Sequence, residues 1–459
     1  MTAEWELKIR WEWEPAESIR TPEHRATWAR IEIKVGSDFV TLVEDRGSGS
    51  SRRSIYCPLY PLAEWVAYNW WFLQADTRPS SFLAQDGVLA ALASRPLPAP
   101  LREHHSIRAS GDGFAWPDLL IVPDDGETRL AWGDDSAHSS RWPIRFLTRG
   151  DHRVRSEQVQ RELEVLVTET LTRLAEQGIT GTVLEKEWAA IQQTDPDEAE
   201  YCRAAARLGL DPYSDAEPYE QDIIQAAQTL GGQVLTDFLN AVSPDHIGRA
   251  LAWISSLRPA IEGRQAKSGS TDLAEVPSLD AEVIQELRAA ARRPTASAST
   301  FPWVVGYEQA RVIRGEIAPD NKRRLDVNRY VRAITRKSPD VSLQALGAGA
   351  NTNHPRPIVV MGQNRPATST RFTLSRALWH YIWDDAPLFM VTAAHTYRQR
   401  VERAFAAELL APAEGIAQFL ESPPEAASQE ELEQIAQRYG VSSMVIEHQL
   451  RNHLIAPAA

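Results

Sequence analysis

Apolar and polar residues alternate through Trp5, Leu7, Ile9, Trp11 and Trp13, with Glu, Lys and Arg between them. A period of two puts one set of side chains on one face, so this stretch predicts a half-buried strand. Residues 29–35 alternate in the same way, and Gly36-Ser37-Asp38 predicts a turn into a strand at 39–43. Ser48-Gly49-Ser50-Ser51-Arg52-Arg53 reads as a mobile loop. Pro61 opens a helix over 61–72, on which Leu62, Trp65, Val66 and Asn69 share one face. Further strands are expected at 116–122, 128–132 and 143–148, with turns at Asp124-Asp125-Gly126 and Gly133-Asp134.

Beyond residue 153 the period lengthens. Val159, Leu163, Leu166, Val167 and Leu171 follow helical spacing in a Glu-rich segment that ends near Gly178. Helices are expected around 183–193, 197–208, 217–230 and 245–256. Residues 263–277 and 294–300 read as linkers, the first rich in Gly, Ser and Lys. Near the end, Ser428 and Glu431 spell a capping box, Leu432, Ile435, Ala436 and Tyr439 form a buried face, and Gly440 suits the position after the helix. The organisation is α+β in three parts. They are a β-rich, Trp-rich domain at 1–150, a helical region at 151–295, and a helical/mixed domain at 300–459 ending in a helical hairpin.

Composition narrows the function classes. The chain has 459 residues, 43% of them apolar, with a formal net charge of -13. That balance gives no global attraction to nucleic acid or anionic membrane. The segment 428–452 has helix-turn-helix spacing, but its second helix offers Ser443, Glu447, His448 and Arg451, too few cations to grip phosphates. Specific nucleic-acid binding is therefore not expected. Cys57 and Cys202 stand far apart, which fits a reducing compartment. The start is polar and acidic and no apolar run is long enough to span a bilayer, so a cytoplasmic protein without membrane contact is expected. Seven of the 15 Trp residues precede residue 75, which reads as a Trp-rich core. Trp116-Pro117-Asp118 and Arg129-Leu130-Ala131-Trp132 lie on a plain hairpin, and Glu103-His104-His105 and His138 lack the spacing of a metal site.

Two segments of the last domain carry the chemistry. Residues 371–380 read R-F-T-L-S-R-A-L-W-H, and residues 402–412 read E-R-A-F-A-A-E-L-L-A-P. The pair resembles the ImmA/IrrE family of zinc metallopeptidases, whose segments run R-F-T-L-A-H-E-L-G-H and E-x-x-A-N-x-F-A-A-x-L-L-M-P. Phe301-Pro302-Trp303 looks like that family's opening helix and residues 435–443 like its closing pair, so the resemblance spans 300–459. It implies a zincin-like fold for this domain. In an HExxH segment two imidazoles at i and i+4 face one Zn²⁺, and the Glu activates a water.

Here Arg376 stands at the first His position and Ala377 at the Glu position, while His380 is retained. Arginine has no acceptor and puts a fixed positive charge where a dication would sit. Glu402 is a shifted candidate for the family's third ligand. Two readings follow. In the first, the domain binds without cutting: it has no catalytic residue and no cofactor, and Arg376, Trp379, His380, His395 and Glu402 line a groove for a protein partner. In the second, His380, His395 and Glu402 hold zinc in an altered peptidase site. A third reading is a DNA-binding regulator acting through 428–452. Relatives act on repressors in stress responses and phage-related systems, so the resemblance implies a sensor or adaptor, in a setting such as bacterial phage defence. Phe405 and Leu409, one helical turn apart, are expected in the core.

Overall fold

The computed structural model describes residues 6–83, 92, 97–135, 143–261, 301–336, 345–350, 357–362, 365–383 and 388–455. Trp5, His138 and the linker segments 263–277 and 294–300 lie outside the described residues. The chain forms two compact units, Met1–Glu220 and Gln221–Ala459.

In the first unit, Leu7–Trp13 pairs antiparallel with Trp28–Val35, which also pairs with Asp38–Phe39 and Ile55–Pro58. The alternation seen in the sequence is realised: Leu7, Ile9, Ile31, Ile33 and Val35 are buried. The outer edge of Leu7–Trp13 is closed by side chains of helix Ser156–Glu176. Gln158 accepts from Leu7 N–H at 2.9 Å and donates to its carbonyl at 2.7 Å, and Glu162 accepts from Ile9 N–H at 2.7 Å. A second sheet joins Leu119–Asp124, Glu127–Trp132 and Gly150–Arg155. Its tight turn has positive φ at Asp125 and Gly126, as a two-residue hairpin demands.

Three expectations change here. The strand at 39–43 is split into Asp38–Phe39 and Val43–Asp45, and Ser51–Arg52 of the supposed loop pairs with Val43 and Glu44. Strand Gly150–Arg155 joins the hairpin, although its polar sequence concealed it. The helix at 61–72 is two helices, Tyr60–Tyr68 and Trp70–Ala75, because Asn69 Nδ2 donates back to the Trp65 carbonyl at 2.9 Å. His104 and His105 point apart. His104 stacks on Phe72, while buried His105 faces the Ile121 carbonyl and the Asp76 carboxylate. Burial opposes the Asp76 charge, but Arg78 and then His105 hold its carboxyl down to about 2.

The second unit is built on four strands in the order Arg332–Arg336, Ile358–Gly362, Ala345–Ala350, Leu388–Thr392. The first two run parallel and the rest antiparallel. Residues 358–361 and 389–392 are buried without interruption, so both faces of the sheet are covered. Helices Pro302–Ile317 and Tyr397–Leu410 pack so closely that a Cβ on Gly306 would strike the Val401 carbonyl and Ala404. Glu408, buried, receives Arg311, the Ala413 N–H and Gln449, and so joins the helical core to the C-terminal pair.

Gly440 ends helix Gln429–Tyr439 in the left-handed conformation, with Val441 N–H returning to the Ala436 carbonyl. The capping box at Ser428 is only half formed. Ser428 accepts from Glu431 N–H, but the Glu431 carboxylate turns away to Ser422 and the Glu421 N–H.

Phe405 and Leu409 are both fully buried, as their spacing predicts. Truncating Phe405→Ala should cost about 3–5 kcal/mol, read as a fall in the urea midpoint at unchanged slope.

Candidate functional site

Four segments of the second unit converge on one buried cluster. Helix Ala367–Trp383 presents Arg376 and His380 one turn apart, and helix Tyr397–Leu410 presents Arg398 and Glu402 at the same spacing. Strand Leu388–Thr392 contributes the Thr392 carbonyl and the Phe389 ring. Helix Gly232–Leu239 contributes Asp237.

Arg376 Nε donates to Glu402 Oε1 at 3.0 Å, and its Nη2 donates to the same oxygen and, at 2.6 Å, to the Thr392 carbonyl. Glu402 Oε2 meets His380 Nε2. Arg376 is 1% exposed and Glu402 0% exposed, so no water competes for these groups. Burial opposes the Glu402 charge, but Arg376 first and His380 second overcome it and hold the carboxyl down to about 2.

The state of His380 follows from its partners. Its Nδ1 lies 3.0 Å from Arg398 Nη2, which can only donate. The guanidinium at Nδ1 favours the form with a ring proton on Nε2, the atom that faces Glu402. The ring stacks on Phe389 with planes 6° apart, which fixes its orientation. Arg398 Nη1 in turn donates to Asp237 Oδ2 at 2.7 Å. Gln399 completes the link. Its Oε1 caps Thr396 N–H at the helix start, and its Nε2 donates to Asp237 Oδ1 at 2.8 Å. Burial pushes the Asp237 carboxyl up to about 6, against the pull of Arg398.

The residues singled out in the sequence are thus partly brought together. Arg376, His380 and Glu402 form one contiguous cluster. Trp379 is buried beside it, donating to Gln309 at 2.7 Å, with Arg398 over its ring. His395 is half-buried among cations instead. Burial, followed by Arg403, Arg400 and Arg376, pushes its ring down to about 4. Arg403 is likewise lowered to about 9, by burial and by Arg376.

Asp237 and Arg398 belong to this cluster although no motif marks them. A signal for Asp237 was present: it lies three residues after Val234, on the apolar face that Leu235 and Phe238 also define. The helix itself was overlooked because Gly231-Gly232 reads as a stop.

Does this donor set fit zinc? It does not. Zinc needs an open imidazole lone pair, but His380 Nδ1 faces the Arg398 guanidinium and Nε2 faces Glu402. Moving the proton to Nδ1 would set two donors, Nδ1–H and Arg398, against each other. Arg376 fills the first ligand position, and His380, His395 and Glu402 do not assemble into a metal-holding group among the described residues.

Residues 339–451 match the family model of the IrrE N-terminal-like domain of the M78 peptidases. This part of the chain is an ImmA/IrrE-type, peptidase-fold domain. The match begins after helix Pro302–Ile317 and leaves out Asp237 and its helix. No curated protein matches the chain.

Two measurements check the cluster. Arg376→Ala should destabilise the unit by about 3–5 kcal/mol, because Glu402 is left buried and uncompensated. A melting temperature equal to wild type would show the pair to be dispensable. The second concerns pH. The folded Asp237 carboxyl lies near 6 and the unfolded one near its model value of 3.8, so the folded state binds more protons between those values. Its contribution to stability is complete below about 4 and is lost as pH rises through about 6. Asp237→Asn should flatten that part of the stability profile.

Proposed function

We propose that this chain is a non-catalytic, peptidase-like regulatory protein, a sensor or adaptor that works by binding a protein partner. The observation that carries the reading is the Arg376 guanidinium, bonded to Glu402 and to the Thr392 carbonyl. Metal-dependent hydrolysis needs a dication with an open position and a base beside it. Here a fixed monocation occupies the ligand side, and Ala377 supplies no base. Glu402 is held at Oε1 by Arg376, and its Oε2 faces His380 Nε2 rather than an open metal position.

The domain keeps an element suited to recognition, the strand Leu388–Thr392 that ends the described sheet. Extended segments bind by adding to such edges through main-chain hydrogen bonds, which require no metal. That favours a protein partner offering an extended segment.

The test is metal content and hydrolysis together. The purified full chain should carry no stoichiometric zinc after dialysis and should not cleave an unfolded protein substrate. About one zinc per chain, lost on His380→Ala, overturns the reading.

A further inference from the structure

Helix Gly232–Leu239 lies outside the segment matched by the family, yet it packs along strand Leu388–Thr392, at the open end of the sheet. We infer that this helix is a latch that covers the edge strand in cis, fastened through Asp237 to Arg398 and Gln399, so that a partner's extended segment reaches that strand only when the helix leaves. The inference rests on the reading of that edge as a docking site.

Three features of the helix support it. The first is its seat. Val234, Leu235, Phe238 and Leu239 are buried, so the helix presents an apolar underside to the domain. At its centre is not another apolar residue but Asp237, 1% exposed. A charge withdrawn from water gives less net adhesion than an apolar side chain of similar volume. It gives registry instead, because only the seated position offers Arg398 Nη1 and Gln399 Nε2 to the two carboxylate oxygens. Burial raises the Asp237 carboxyl, so desolvation opposes this seat.

The second feature is the joint. Gly231 has φ 58° and ψ 157°, a region essentially reserved for glycine, and Gly232 has φ 53°. A Cβ on either would meet nothing within 4 Å. These glycines are therefore not there for close packing; they serve the backbone turn that brings the helix onto the strand.

The third feature is what the fastening touches. Arg398 is the group that donates to His380 Nδ1, and Gln399 is the capping residue of the Glu402 helix. Undocking the helix breaks the Asp237 bonds to Arg398 and Gln399. The docked state is thereby coupled to the buried cluster.

Hydrogen exchange of the full chain, followed by mass spectrometry, tests the latch. In Asp237→Ala, amides of 232–239 and of 388–392 should exchange at least about tenfold faster, while the core turns at 373–382 and 404–410 keep wild-type rates. Gly231→Ala alters only the joint and should loosen the same two segments. Unchanged exchange in both variants overturns the latch. Faster exchange throughout 221–459 also overturns it, since the helix would then be an integral part of the core. The docking reading is separated by recovery of partners from a cell extract. Selective loosening with no gain in recovery over wild type overturns the docking reading while the latch stands.

Discussion

A guanidinium and a carboxylate buried together, Arg376 with Glu402, govern this domain. Taking both charges out of water is costly, and their attraction repays it only if the remaining donors and acceptors are matched. The domain is arranged around that requirement. Glu402 Oε1 takes two bonds from Arg376, Oε2 faces the His380 proton, and Arg376 Nη2 reaches the Thr392 carbonyl. Two helices and the edge strand are thus bound to one ion pair. The same requirement passes outward. Arg398 bridges the His380 ring nitrogen and the buried Asp237 carboxylate.

Much of this was legible in the sequence, and the reasons differ by element. The alternation at 7–13 and 28–35 and the helical spacing at 156–176 reflect burial on one face, which a local pattern records. The motif frame located Arg376, His380 and Glu402, because i and i+4 geometry survives replacement of the residues themselves. The split at Asn69 and the polar strand at 150–155 were hidden, since both depend on partners distant in sequence. Asp237 was hidden for the same reason. It lies 161 residues from Arg398, and only the folded chain joins them. The placement of His395 among arginines could not be read from spacing either, because the cations come from different elements.

Sheet edges are handled differently in the two units. The edge of Leu7–Trp13 is closed by Gln158 and Glu162, which satisfy the outward backbone groups directly. That closure is permanent in character, with polar side chains standing in for a neighbouring strand. At Leu388–Thr392 the cover is a short helix seated by a buried charge. The contrast separates an edge protected for solubility from one covered by a removable element.

The protonation state imposed on His380 has a consequence for the history of such domains. Interconverting this centre and a metal-binding one takes an imidazole at 376, a carboxylate at 377, and removal of the Arg398 donor from His380. Replacing Arg376 alone strands Glu402, and replacing Arg398 alone strands Asp237. The charge-paired centre therefore resists replacement of Arg376 by itself, because buried Glu402 depends on it.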